Sequence, residues 1–486
     1  MTLTVQTRSI RHRDPLAVLR AAQRAFGVGN TFLLESLAGP DPDMRASVVG
    51  VVGVFELRVV DRTIQVSGHE NVVDAGAAAL TRSGLIVGDP QGGFRLADDA
   101  ALWRIPETLQ SVFAPEGVAA ANIGILAYYG YEAVRYVEQL PRPPHLPSAT
   151  EPDAVFSVVH TAITMPHGSV VGYAATTSCD LWEAADLDVL CAELADDEEV
   201  VDAPLDVPAP SSVHDDVSAA DYARRVLQAL DHIRAGDVYQ VQLGHELTVV
   251  TTASPMQVYR RMRAFNASPY MCFLPIAGSV ITGASPELYV RVHRDHAQMR
   301  PIAGTARRTR VSDVDARAVT ELRTSEKECA EHVMLVDLCR NDLGRIAATD
   351  STRTQGLMTV EQYSHVFHLV TSVDARIDAA FTISDVIRAG FPAGTMTGAP
   401  KVRAMEVIDE LETSPRGYYA GAFGVIDFNG DAVLGLAIRM VVHRDGKARI
   451  RASAGVVADS TPEGEWDETK AKMSAAYFAV TGEELQ

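Results

Sequence analysis

"GAFGVIDFNGDAVLGLAIRMVVH", residues 421–443, decides between a parallel and an antiparallel fold. Two apolar, β-branched runs flank Asn429-Gly430, the dipeptide that accepts the left-handed backbone of a two-residue hairpin turn. A hairpin makes its strands antiparallel neighbours. Outward from it, "DVYQVQLGHELTVV" (237–250), "MCFLPIAGSVITG" (271–283), "ELYVRVH" (287–293) and "ARIRASAGVVA" (448–458) read as further strands. In the first half, "FELRVVDRTIQVSG" (55–68) and "AVFSVVHTAITM" (154–165) alternate in the same way. Helical spacing appears in "DPLAVLRAAQRAF" (14–26) and in "AADYARRVLQALDHIRAG" (219–236), which Ser218 caps and Gly236 stops. Longer helices are expected over 325–346, 400–412 and 466–480. Strands and helices mix without a strict βαβ alternation, so the fold class is α+β with antiparallel sheets.

Between the halves lies "ELADDEEVVDAPLDVPAPSSVHDDVS" (193–218), where acidic residues, prolines and serines replace any apolar period. It reads as a solvated connector over 196–217, dividing an N-terminal region 1–195 from a C-terminal domain 218–486. At 486 residues, 47% hydrophobic and 22% charged, the chain can build a large core. Its formal charge of −20 opposes phosphate backbones and anionic lipid, so neither nucleic acid nor membrane is expected as a partner. The five cysteines are scattered, without CxxC spacing, and read as reduced core thiols. The longest apolar run, "ASVVGVVGVF" (46–55), is half a membrane span, and "MTLTVQTRSIRHRDP" carries no apolar signal segment. A cytoplasmic location is expected.

Four features can carry chemistry. Glu328 and Glu331 stand one helical turn apart, with Val333, Met334, Leu335, Val336 and Leu338 behind them; Glu465 and Glu468 repeat the spacing near the end, with Lys472 one turn on. Either pair alone can be a solvated helix face. Four carboxylates converging from two helices would need a cation, and oxygen ligands with room for water suit Mg²⁺. "FPAGTMTGAPKVRAMEVIDELE" (391–412) runs a small-residue loop into a helix, either an anion site or a plain cap, and it lacks the P-loop pattern. Arg439, read as mid-strand among apolar neighbours, needs an anionic partner, either a structural carboxylate or a ligand. His368 is either a satisfied core histidine or a partly buried acid–base group titrating near neutrality. The residues alone thus reach a Mg²⁺-assisted enzyme acting on a small carboxylate-bearing molecule.

The ordered blocks "RPIAGTARR" (300–308), "EKECAEHVMLVDLCRNDLGR" (326–345), "GTMTGAPKVRAMEVIDELE" (394–412), "RGYYAGAFGVIDFNG" (416–430), "AIRM" (437–440) and "SAGVVADSTPEGEWDETKAKM" (453–473) resemble the signature blocks of the chorismate-utilising enzymes, most of all anthranilate synthase component I. "FLLES" (32–36) and "GILAYYGYEAVRYVEQLP" (124–141) extend the likeness into the first half. The resemblance implies two antiparallel β-sheets packed as a sandwich around the active site, helices outside, with both halves contributing strands.

It also implies roles. Glu328, Glu331, Glu465 and Glu468 match the acidic positions around Mg²⁺, which chelates the ring carboxylate of chorismate. Arg439 and Tyr419 match the grip on the enolpyruvyl carboxylate. Lys472 matches a lysine near the ring carboxylate, and Thr395, Gly455 and the block residues Ala303, Gly304 and Thr305 line the pocket. His368 matches the histidine associated with proton transfer at C2. Leu34, Glu35 and Ser36 with Pro269, Tyr270 and Met271 resemble a tryptophan feedback site formed between the halves.

Two positions indicate the nucleophile. Relatives that add water to C2 carry a lysine base where this chain has Gln240, and relatives that make 4-amino-4-deoxychorismate carry a lysine where it has Ala303. With both missing, the expected reaction is amination of chorismate at C2 by ammonia, then pyruvate elimination to anthranilate in tryptophan and aromatic amino acid biosynthesis. No Gly-x-Cys-x-Gly glutaminase turn is present, so ammonia is expected from glutamine through a separate amidotransferase subunit, in a homodimer or heterotetramer. Four positions depart from the family pattern: Gly244 for Ser, Thr397 for Ser, Met440 for a small residue and Ser453 for Gly. They leave open a 2-amino-2-deoxyisochorismate synthase that stops before elimination in a specialised pathway. Isochorismate, salicylate or 4-amino-4-deoxychorismate synthesis and a non-catalytic relative are the remaining alternatives.

Overall fold

The computed structural model describes residues 3–485 except 41–42, 89–91, 115–121, 141–142, 144, 147–150, 196–205, 310 and 364–365. Two large antiparallel sheets dominate it, with strands from both halves of the chain in each. In the first sheet the halves meet where Thr31–Glu35 pairs with Tyr270–Ile276, Met271 opposite Glu35. In the second they meet where Gly124–Tyr129 pairs with Ala422–Asp427.

The sheets pack face to face because alternate residues of each are apolar. Phe32, Cys272, Leu274 and Met440 of the first share one core with Leu57, Tyr128, Phe156 and Phe423 of the second. Helices Pro15–Phe26, Pro255–Phe265 and Pro462–Thr481 cover the outer face of the first sheet, burying Leu16, Tyr259 and Met473 against Phe273 and Ile450. Ala219–Ala235 and Lys401–Leu411 cover its far end through Tyr222, Val226 and Ile408. The fold is therefore the α+β sandwich with helices outside. No helix of the described residues is long and apolar enough to cross a membrane.

Of the acidic stretch 196–217, residues 196–205 lie outside the described residues, and Ser212–Asp215 forms an edge strand on Gln240–Val250 rather than a free connector. The hairpin at Asn429-Gly430 forms as expected between Ala422–Asp427 and Ala432–Leu436, with Gly430 at φ 93°. The segment beyond it departs from the single long strand expected there. The chain leaves the second sheet at Leu436 and enters the first at Met440–Arg444, so Arg439 is not mid-strand but in the crossover, at φ 53°. The apolar run has no turn residues between the two strands, so nothing local marks the change of sheet.

Candidate active site

The floor of the site is the ladder between Gln240–Val250 and Lys447–Val456. Period-2 alternation sends Val241 and Leu243 into the core beneath the outer helices, and puts Gln240, Gln242 and Gly244 on the other face. Across the ladder Gln242 faces Gly455 and Gly244 faces Ser453. A Cβ on Gly455 would lie 2.6 Å from Gln240 Nε2 and 2.9 Å from Gln242 Nε2, so only glycine lets both amides converge there. The departures at 244 and 453 form one pair: a Cβ on Gly244 would stand 3.1 Å from that of Ser453 and 2.7 Å from the Ala452 carbonyl.

The second sheet supplies the opposite side. Ile302–Arg307 pairs with Val366–Arg376, and its register shifts at Gly304, a bulge with φ 68°. The bulge aims the Gly304 carbonyl at His368 Nδ1, 3.0 Å away, with Thr305 Oγ1 at 3.1 Å. A carbonyl only accepts, so Nδ1 carries the proton and Nε2 keeps its lone pair. Burial pushes the imidazole down to about 4, against the second of the two readings the sequence allowed, titration near neutrality, and leaves the ring neutral at pH 7. Ala303, at the bulge, is buried opposite Leu369.

Ser325 caps helix Glu326–Gly344, which carries Glu328 and Glu331. Glu328 Oε2 lies against Gly304, 3.0 Å from where a Cβ would be. Glu331 Oε1 accepts from Gln240 Nε2 at 3.1 Å, joining the helix to the floor. The apolar face is narrower than expected: His332, Leu335 and Val336 are buried, whereas Val333 is exposed. Helix Pro462–Thr481 brings Glu465, buried, and Glu468, which is exposed and pairs with Lys472 Nζ at 2.6 Å. Lys472 also donates to the Ser453 carbonyl at 2.9 Å.

Burial and then the neighbouring Glu328 hold the Glu331 carboxyl above the usual range, with Glu468 adding to the effect. Burial also raises Glu465, again helped by Glu468. The four carboxylates thus share one field but are not drawn to one point. Among the described residues, the set of three ligand groups within 4.8 Å of one another is Asp215, Asp216 and His245, elsewhere. There His245 bonds Asp215 at 2.8 Å and Thr469 at 2.9 Å, while Asp216 accepts from the Glu246 N–H and from Ser414. The glutamates are less satisfied. Glu465 Oε2 is buried without a partner among the described residues, and a crowded all-oxygen set of this kind fits a small hard dication.

Arg439 is half-buried; burial lowers its pKa, while Tyr419, Glu468 and Glu287 act in the opposite direction. It makes no ion pair with a described residue, so the structural salt bridge allowed by the sequence is absent and the guanidinium is left for an anion. Thr395 Oγ1 donates to Glu287 Oε1 at 3.0 Å. Glu287 escaped the sequence reading, although it is a lone acid at the head of the apolar strand Leu288–His293. It is buried, and burial pushes it up to about 8 against Thr395, Arg439 and Lys472. Gln242 was missed too. Tyr419 is buried with its hydroxyl 2.8 Å from Ser453 Oγ.

The six residues read as a feedback site, Leu34, Glu35, Ser36, Pro269, Tyr270 and Met271, all line one cavity of about 260 Å³ between the halves, with Asp43, Arg45 and Arg291. The Glu35 carboxylate is taken by Tyr259 at 2.8 Å and Arg263 at 3.0 Å.

Comparison with known proteins identifies the family and the fold. The family described as "chorismate binding enzyme" matches residues 86–477. A "2-amino-4-deoxychorismate synthase" of Streptomyces globisporus is 43% identical over 99% of this chain and 97% of its own. An "Anthranilate synthase component 1" of Acetivibrio thermocellus is 35% identical over 92% and 90%. The crystal structure of anthranilate synthase component I from Streptococcus pneumoniae TIGR4 superposes with a TM-score of 0.70 at 28% identity, covering 96% of this chain and 99% of that one. With its family blocks brought from two helices and two sheets onto one site, the chain belongs to the chorismate-binding enzymes.

Proposed function

We propose that the chain aminates chorismate at C2 with ammonia and then eliminates pyruvate to give anthranilate. The observation that carries this reading is Gln240, whose side chain lies in the site with its amide donating to Glu331. An amide cannot deprotonate water, and the methyl of Ala303 cannot form an adduct, whereas ammonia is nucleophilic without a base and needs only access and orientation.

Glu328, Glu331, Glu465 and Glu468 would hold Mg²⁺, which supplies positive charge for the ring carboxylate and the departing hydroxyl. Arg439 and Tyr419 take the enolpyruvyl carboxylate; Lys472 and the backbone at Gly455 take the ring end. As the C2–N bond forms, the ring double bonds shift and the C4–O bond breaks. Glu287, protonated at neutral pH, is placed to give that hydroxyl its proton beside Thr395. The new C2 ammonium loses a proton to solvent, and His368 Nε2 then removes the C2 proton while the C3–O bond breaks; the side chain leaves as the enolate of pyruvate, takes a proton at its methylene carbon, and the ring becomes aromatic. Ammonia would come from a separate glutamine amidotransferase subunit.

A second reading is favoured by one comparison. The name 2-amino-4-deoxychorismate describes chorismate with an amine at C2 and no C4 hydroxyl. That is the species before elimination, with the connectivity of 2-amino-2-deoxyisochorismate. Incubating the chain with chorismate, Mg²⁺ and ammonium and weighing the products separates the readings: anthranilate supports the first, an aminated product retaining the enolpyruvyl group supports the second, and unconsumed chorismate sinks both.

A further inference from the structure

Ser453 is 1% exposed and stands between two side chains of the site. Its Oγ is 2.8 Å from Tyr419 Oη and donates to Gln242 Oε1 at 3.1 Å. A hydroxyl has one proton. While Ser453 gives its own to Gln242 it accepts from Tyr419, so the phenol proton points into the protein and none is left for an anion. The chain of bonds has a second direction. If the Gln242 amide turns over, its Nε2 donates to Ser453, Ser453 donates to Tyr419, and the Tyr419 proton is released toward the site. Linked bonds running one way polarise each other, which strengthens the last donor. The Ser453 carbonyl meanwhile accepts from Lys472, so this residue also touches the group assigned to the ring end.

We propose that Ser453 is a positioning residue for the substrate's enolpyruvyl end: its hydroxyl is the pivot of a reversible Gln242–Ser453–Tyr419 hydrogen-bond chain that aims the Tyr419 proton at the substrate carboxylate. The inference rests on the proposed assignment of Tyr419 and Arg439 to that carboxylate. Ser453 acts through Tyr419 and not by touching the substrate, so its effect must vanish when the phenol hydroxyl is absent. The cross-strand neighbour leaves room for this pivot, since Gly244 has no side chain to crowd it.

The test is a double-mutant cycle on ammonium-dependent chorismate consumption by the full chain. Ser453→Ala should raise KM for chorismate about tenfold, the worth of one buried hydrogen bond, and leave kcat within about threefold. Tyr419→Phe should raise KM by a similar factor, and the double variant should be no worse than Tyr419→Phe alone. Ser453→Cys keeps the volume while weakening both bonds, so it should show the same KM effect even where the alanine variant folds poorly. A KM unchanged in the folded Ser453 variants, or KM effects of Ser453→Ala and Tyr419→Phe that multiply, overturns the pivot while leaving the amination reading intact. A wild-type chain that consumes no chorismate overturns that reading, and the pivot with it.

Discussion

Glu287 and His368 illustrate how one physical effect, burial, shifts an acid and a base in opposite directions to a common end: both are neutral at pH 7. Burial pushes Glu287 up to about 8, so it holds a proton to give, and pushes His368 down to about 4, so it holds a lone pair to take one. If Glu287 protonates the leaving hydroxyl, kcat should fall as pH rises through about 8, and Glu287→Gln should lower kcat roughly 10²-fold and abolish that limb. An unchanged kcat in Glu287→Gln would remove Glu287 from the chemistry. The same raised value has a stability consequence: the contribution is complete below the unfolded value near 4.5 and is lost as pH rises through about 8. Thermal stability measured across that window should therefore decline less in Glu287→Gln. His368 was legible in the sequence as a functional candidate, but its titration was not, because the half-buried ring is set against a neighbouring strand and Tyr363, edge-on at 5.1 Å. Glu287 was illegible for a related reason. An acid at the head of an apolar strand looks like a surface residue until the chain behind it folds over.

At the scale of elements, the site depends on what each strand and helix presents. The helices at 326–344, 401–411 and 462–481 fall close to the expected ranges 325–346, 400–412 and 466–480, the last starting four residues early, and Ser325 and Thr461 hold the N-termini that carry the glutamate pairs. Local pattern was enough for these. It was not enough for the strands around Arg439, because an apolar run records that a strand exists and not which sheet it joins. Nor could it show the bulge at Gly304, on which both His368 and Glu328 rest. The convergence of the two helices is the testable part. Glu331→Gln and Glu468→Gln should each abolish Mg²⁺-dependent turnover while circular dichroism and melting stay close to wild type. Each change removes a charge from a crowded set, so the fold should not suffer. Full activity in both variants would refute the metal assignment.

For the whole molecule, the two sheets are shared by both halves, and the cavity at their seam is closed by neither half alone. The cavity lined by Leu34, Glu35, Ser36, Pro269, Tyr270 and Met271 lies at the seam, where Met271 pairs with Glu35. A small amphiphile bound there touches both halves, and Asp43, which lines it, leads through Arg300 to Glu361, the register partner of His368. Tryptophan is the ligand proposed for it, and the rate of chorismate consumption should fall as tryptophan is added to saturation; a flat rate would withdraw that proposal. The central claim, attack by ammonia at C2, rests on a glutamine where a base would be needed. Its most direct measurement supplies chorismate and Mg²⁺ with and without ammonium at mildly alkaline pH and identifies the products by mass. The account predicts a C2-aminated product, anthranilate or its enolpyruvyl-bearing precursor, only when ammonium is present. Isochorismate or salicylate formed as readily in ammonia-free buffer would contradict it.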